Sequence, residues 1–186
     1  MNRSLLFCVA CLLFAAAPHA TASAGWTVTN LHPAGASDSS AHGVSGGQQV
    51  GSAEVGGDRH AGLWSGTAAS WVDLNPAPAG SSYSQAFGVS GGQQVGYAKV
   101  GGTDYASLWS GTAESWGDLD ALLPAGYSGS EAWGVFTSGV ETWVAGSAHN
   151  TSLDREEAFL WHYVPEPSTI LALLCGLGGV VWRKRK

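Results

Sequence analysis

The chain contains an internal repeat with a period of 45 residues, and this period decides which folds are open to it. Residues 41–74 read AHGVSGGQQVGSAEVGGDRHAGLWSGTAASWVDL, and residues 86–119 read AFGVSGGQQVGYAKVGGTDYASLWSGTAESWGDL. Trp64 and Trp109 mark the common register, 45 residues apart. A third copy, lengthened by insertions, runs from residue 132 to residue 161. We therefore expect a body built from about three similar units.

Each unit predicts four short β-strands. In the second unit, AFGVS and QVGYAKV flank Gly91-Gly92, which favours a tight hairpin because glycine accepts positive φ. ASLWS and SWGDL flank a second turn at residues 110–113, and Gly101-Gly102 joins the two hairpins. No segment has sustained helical periodicity, so the pattern predicts an all-β body over residues 25–163.

The start of the body matches the end of a unit. GWTVTNLHPAG at residues 25–35 parallels SWVDLNPAPAG at residues 70–80, while the third copy stops after its FLW strand. We expect residues 26–31 to supply the missing fourth strand by pairing near residues 158–161. Three four-stranded sheets would then close into a ring without exposed edges.

The repeat resembles the HAF family of extracellular repeats. The matching residues are Ala86-Phe87-Gly88-Val89, Gln94-Val95-Gly96, Asp118-Leu119 and Ala158-Phe159-Leu160-Trp161. The chain departs from the family pattern with Gly-Gly in place of an Asn-rich turn, and with His60-Ala61-Gly62 in place of His-Ala-Phe. The resemblance implies a propeller-like β-repeat fold and no enzymatic activity. A β-prism, a β-trefoil or half of a six-bladed dimer remains open.

Aromatic residues recur at fixed repeat positions. His42, Phe87 and Trp133 share one position, and such swaps favour packing or a surface over a ligand site. Trp143 and Tyr127 fall outside the regular pattern. These two are the candidates for stacking on a saccharide, which is the alternative function of the chain as a lectin-like module.

The body offers little else for chemistry. Asp118 and Asp120 could bind calcium, but a solvated turn is favoured because the spacing of an oxygen-rich loop is missing. No serine lies in a nucleophile elbow, and no histidine spacing suggests zinc. All three cysteines, Cys8, Cys11 and Cys175, lie outside the body, which excludes disulfides and a thiol nucleophile there. We expect no catalytic residue, cofactor or metal.

Residues 1–24 have the form of a signal peptide. Arg3 precedes an apolar run from Leu5 to Ala17, and Ala22-Ser23-Ala24 offers small residues for cleavage between Ala24 and Gly25 by signal peptidase. From residue 25 to residue 164 the chain has three basic and thirteen acidic residues. This strong negative charge argues against nucleic acid as a partner and suits an exported domain.

The C-terminus, residues 164–186, has three parts. Val164-Pro165-Glu166-Pro167-Ser168 is followed by 14 largely apolar residues and by Arg183-Lys184-Arg185-Lys186. At about 1.5 Å per helical residue, such a helix covers roughly 21 Å of a hydrocarbon core about 30 Å thick. The predicted transmembrane helix is therefore marginal, and the four cations hold its end in the cytoplasm.

These three parts, in this order, resemble the PEP-CTERM sorting signal. The resemblance implies a Gram-negative bacterium, recognition by an exosortase at Pro165, Glu166, Pro167 and Ser168, and removal of the tail. Such systems usually accompany exopolysaccharide. The protein is thus expected to be anchored transiently in the inner membrane and then released to the cell surface or matrix. The alternative is an ordinary tail anchor.

Overall fold

The computed structural model describes residues 25–165, so the predicted signal peptide and nearly all of the predicted sorting tail lie outside the described residues. Within this range the chain forms eleven β-strands and no α-helix. The strands are β1 (Ser39–Ser45), β2 (Gln48–Val55), β3 (Asp58–Trp64), β4 (Val72–Asp73), β5 (Tyr83–Ser90), β6 (Gln93–Val100), β7 (Thr103–Trp109), β8 (Gly117–Asp118), β9 (Tyr127–Ser138), β10 (Glu141–Asn150) and β11 (Arg155–Tyr163). Short 3₁₀ helices lie at Ala68–Ser70, Ala77–Ala79, Ala113–Ser115 and Asp120–Leu122.

The strands form three antiparallel sheets, one for each copy of the repeat. The first sheet has the order β1-β2-β3-β4, the second β5-β6-β7-β8 and the third β11-β10-β9. The predicted all-β body of three repeats is confirmed, with four strands in each of the first two units. Gly91 and Gly92 form the predicted hairpin turn with φ values of 57° and 81°.

Neighbouring sheets pack face to face. A first cluster of buried residues joins the first and second sheets, and a second cluster joins the second and third. Each sheet thus has a forward face, turned toward the next sheet along the chain, and a backward face, turned toward the preceding one. The first and third sheets lie on opposite faces of the second, so the body is an open stack of three sheets.

The predicted closure by the N-terminal strand is wrong. Residues 25–33 form no strand, and the third sheet has three strands. Trp26 and Val28 have exposed fractions of 101% and 98%. One reason is the stack itself, because the segment leads into the first sheet and the second sheet lies between the first and the third.

A second reason lies in the third strand of each unit, at the repeat position that Gly62 occupies in the first sheet. In the first sheet the ring of Trp71 occupies the space beside Gly62, and in the second sheet Trp116 Nε1 donates a hydrogen bond to Ser107 Oγ at 2.8 Å. The third copy has Phe159 at this position. The Phe159 ring packs edge-on against Tyr127 with ring centroids 4.9 Å apart. A side chain of this size leaves β11 without the space that Gly62 gives to an indole.

Candidate functional site

A β-bulge interrupts the first strand of every sheet at the same repeat position. In β1 the pairing passes from Ala41 to Gly43, and in β5 it passes from Ala86 to Gly88. The residues left outside the ladder are His42, Phe87 and, in the third sheet, Trp133. A bulge changes the direction of the side chain of its extra residue, so these three side chains do not follow the alternation between the two faces of the sheet.

The three bulge residues form an aromatic column across the sheets. The ring centroids of His42 and Phe87 are 5.4 Å apart, and those of Phe87 and Trp133 are 4.7 Å apart with an interplanar angle of 20°. His42 Nδ1 lies 2.9 Å from the carbonyl oxygen of Ala86 and donates to it. Trp133, at the end of the column, is 52% exposed. The repeat position thus combines packing with one open aromatic face.

A polar groove of about 550 Å³ borders Trp133. Three carboxylates line it, those of Asp104, Glu131 and Glu156, together with His149. Burial, followed by the charges of Asp104 and Glu156, raises the pKa of Glu131 above its ordinary value. An open indole beside hydrogen-bond acceptors is an arrangement that can stack on one face of a sugar ring and bind its hydroxyl groups.

The two aromatic residues singled out from the sequence have different surroundings. Trp143 lies in a ladder across the third sheet, with ring centroids 5.7 Å from Phe136 and 4.7 Å from His162. Tyr127 is held by the fold, because its hydroxyl donates to Glu157 and its ring packs edge-on against Phe159 at 4.9 Å. Trp143 therefore stacks on rings of its own sheet, and Tyr127 has its polar group engaged.

Asp118 and Asp120 use their carboxylates to hold a turn. Asp118 Oδ1 accepts from the backbone N–H of Asp120 at 2.9 Å, and Asp120 Oδ1 accepts from Ser130 Oγ at 2.6 Å. Between residues 25 and 165, no group of three or more His, Cys, Asp or Glu residues is placed to hold a metal ion. These contacts agree with a turn at this pair of aspartates.

A second, apolar groove of about 940 Å³ lies between the second and third sheets. Leu108, Leu119, Val140, Trp161 and Tyr163 are among its lining residues. Trp161 Nε1 donates to the carbonyl oxygen of Leu119 at 3.0 Å, which fixes the indole at its wall. The groove opens where β11 ends and the chain leaves the sheet.

The predicted sorting residues begin directly after the last strand. β11 ends at Tyr163, Val164 is 56% exposed, and Pro165 is the last described residue. The other predicted sorting residues lie outside the described part of the chain; they are Glu166, Pro167, Ser168, Arg183, Lys184, Arg185 and Lys186. Ala24, on one side of the predicted signal cleavage site, also lies outside it. No helix within residues 25–165 is long and apolar enough to cross a membrane.

Comparison with known proteins identifies one segment of the chain. Residues 164–186 match the PEP-CTERM protein-sorting motif, which confirms the resemblance seen at the C-terminus. No curated protein and no solved structure matches the chain. The motif indicates an exported protein that is processed by an exosortase and directed to the cell surface.

Proposed function

We propose that the chain is a non-enzymatic surface or matrix protein whose HAF-type β-repeat body is delivered by exosortase processing and acts in association with exopolysaccharide. The sorting motif at residues 164–186 is the observation that carries this proposal. In this account residues 1–24 are a signal peptide, and the three stacked sheets are propeller-like blades. The export signal, the family of the repeat and the polysaccharide link are parts of the proposal.

The physical chemistry of the tail supports transient anchoring. Four cations at residues 183–186 resist translocation, while a run of about 14 apolar residues gives only a marginal membrane helix. Pro165 and Pro167 stop that helix from extending outward. The motif would therefore be held extended at the outer membrane face, with the third sheet one residue away from it.

The test is to replace Pro165, Glu166 and Pro167 together with alanine in the native host. The helix can then continue outward and the extended segment is lost, so we expect the precursor to accumulate in the inner membrane at full size. Fractionation with an antibody against the body measures this. Surface delivery with normal size and yield would contradict exosortase processing and favour a simple tail anchor.

A lectin-like role is the second candidate, and the groove beside Trp133 favours it. The half-exposed indole and the Asp104, Glu131 and Glu156 carboxylates provide stacking and hydrogen bonding on one surface. The net negative charge of the body favours a neutral or cationic saccharide over an anionic one.

This role is tested with polysaccharide purified from cultures of the producing host. We expect Trp133→Ala to weaken binding about tenfold, which corresponds to about 1.4 kcal/mol. Trp26→Ala is the matched control, because Trp26 is fully exposed and lies outside the groove. Equal binding by both variants would contradict recognition at Trp133.

A further inference from the structure

The forward face of the third sheet has the pattern of a packed face without a neighbour. The same three repeat positions are buried or half-buried in the first two sheets and exposed in the third. They are Val50, Ala61 and Leu63 in the first sheet, Val95, Ala106 and Leu108 in the second, and Ala145, Ala158 and Leu160 in the third. Leu63 is 5% exposed, whereas Leu160 is 66% exposed.

A row of glycines leads to the same conclusion. A Cβ on Gly43 would meet the carbonyl oxygen of Phe87 at 2.6 Å, and a Cβ on Gly88 would meet the α-carbon of Gly134 at 3.2 Å. Each glycine therefore makes room for the backbone of the next sheet. Gly134 occupies the same position in the third sheet, and a Cβ there would have nothing within 4 Å.

The backward face of the first sheet is the complementary half. Val89 and Ala86 of the second sheet are 7% and 0% exposed, because they pack on the first sheet. Their counterparts 45 residues earlier are Val44, which is 74% exposed, and Ala41, which is also exposed. The forward face of the third sheet and the backward face of the first sheet thus correspond to the two sides of the contact that joins neighbouring sheets. We call this contact the junction.

A hydrogen bond between sheets marks the register of this junction. The backbone N–H of Ala61 donates to Ser84 Oγ at 2.9 Å, and the N–H of Ala106 donates to Ser130 Oγ at 3.0 Å. The third equivalent of the donor is Ala158, and the first equivalent of the acceptor is Ser39. These two residues lie at opposite ends of the stack in one chain.

We propose that a second copy of this chain packs the backward face of its first sheet on the forward face of the third sheet, with the reciprocal contact closing a six-sheet dimer. A head-to-tail contact leaves two faces open again unless the ring closes. Two copies give six sheets, which lies within the range of four to eight blades found in propellers. This inference does not depend on the proposed sorting role. It competes with the second candidate function, because the aromatic column of His42, Phe87 and Trp133 runs toward the same junction.

Disulfide trapping tests the junction in the full chain with Cys8, Cys11 and Cys175 changed to serine. Ser39→Cys combined with Ala158→Cys is expected to give a covalent dimer on mild oxidation, whereas each single variant stays uncrosslinked. Ala61→Cys combined with Ser84→Cys is the positive control, because the established junction should give an intrachain link. A ladder of larger species would overturn the closed ring. Monomer alone, with the positive control crosslinked, would overturn the junction.

A charge variant gives an independent measurement. Leu160→Glu in the trapping background is expected to reduce the covalent dimer at least tenfold, because a carboxylate would be buried at the junction. Leu153→Glu is the matched control, since Leu153 is similarly exposed at 57% but lies in the turn between β10 and β11. Circular dichroism should give the same spectrum for both variants. Equal trapping of both variants would contradict the proposed face.

Discussion

The six-membered ring of Trp71 packs directly against the α-carbon of Gly62, where it fills the space that a Cβ would need. Trp71 also lies against Trp64, with ring centroids 4.7 Å apart, so the indole has little freedom to move. The same repeat position is Ser107 in the second sheet and Phe159 in the third. A small residue at this position goes with a packed tryptophan and a fourth strand in the first two sheets, whereas the third sheet, with Phe159, has three strands.

Replacing Gly62 with alanine should therefore destabilise the body. The added methyl group must displace the packed Trp71 ring, and overpacking of this kind costs about 1–3 kcal/mol. Chemical denaturation measures the loss. Gly117→Ala is the matched control, because a Cβ there would meet only the carbonyl oxygen of Leu108 at 3.8 Å. Equal unfolding midpoints for the two variants would argue against this packing.

The buried hydroxyl of Ser84 supports a second prediction. It accepts from the N–H of Ala61 at 2.9 Å and donates to Asn75 Oδ1 at 2.8 Å, and the residue is 0% exposed. Ser84→Ala leaves the buried Ala61 N–H unsatisfied and leaves Asn75 Oδ1 with only the longer bond from Ser81 Oγ at 3.3 Å, which should cost about 1–3 kcal/mol. Ser128→Ala, at an exposed residue at the start of β9, should leave the unfolding free energy nearly unchanged. A Ser84→Ala loss no larger than that of Ser128→Ala would contradict the network.

Glu131 predicts a pH dependence of stability with a defined sign. Burial, with Asp104 and Glu156 nearby, raises its pKa in the folded state, so the charged form destabilises the fold. The penalty is absent below the ordinary pKa, develops as the pH rises through the raised pKa, and is complete above it. Glu131→Gln should thus stabilise the body at pH 7 and have little effect at pH 3. Glu114→Gln, at an exposed residue of the short 3₁₀ helix Ala113–Ser115, is the control.

Thermal unfolding at both pH values distinguishes these outcomes. A Glu131→Gln variant that is no more stable than the parent at pH 7 would show that the carboxylate is better solvated than its burial implies.

Substitutions in the exposed N-terminal segment should have no effect on the stability of the body. Trp26 and Val28 lie in no strand and are almost fully exposed, so the double change to alanine should leave the unfolding temperature unchanged. Trp116→Ala, which removes a half-buried indole bonded to Ser107, should lower it. A large effect of the N-terminal double variant would restore the idea that this segment completes a sheet.

The repeat predicted the strands and turns well because both are set by local chemistry. Gly91-Gly92 and Gly101-Gly102 have the positive φ values that their hairpins require. The fourth strands are shorter than the sequence predicts, with two residues each. Trp71 and Trp116 lie directly before these strands and pack on the sheet through their side chains, so they take no part in the strand pairing.

The aromatic column and the open ends were harder to predict, since both depend on tertiary structure. The bulges at His42, Phe87 and Trp133 are breaks in pairing that the amino-acid pattern does not encode. The failed closure did leave a signal in the sequence, because Phe159 replaces Gly62 and Ser107 at the position that receives an indole. That signal depends on a tertiary contact, the packing of the Trp71 ring over Gly62.

Mass spectrometry of the protein recovered from the surface of its native host tests the central claim most directly. The account predicts a chain that begins near Gly25 and ends within or shortly after the Pro165-Glu166-Pro167 motif, because signal peptidase and exosortase would remove both ends. A surface-exposed form that retains Lys186 would contradict exosortase processing of this protein.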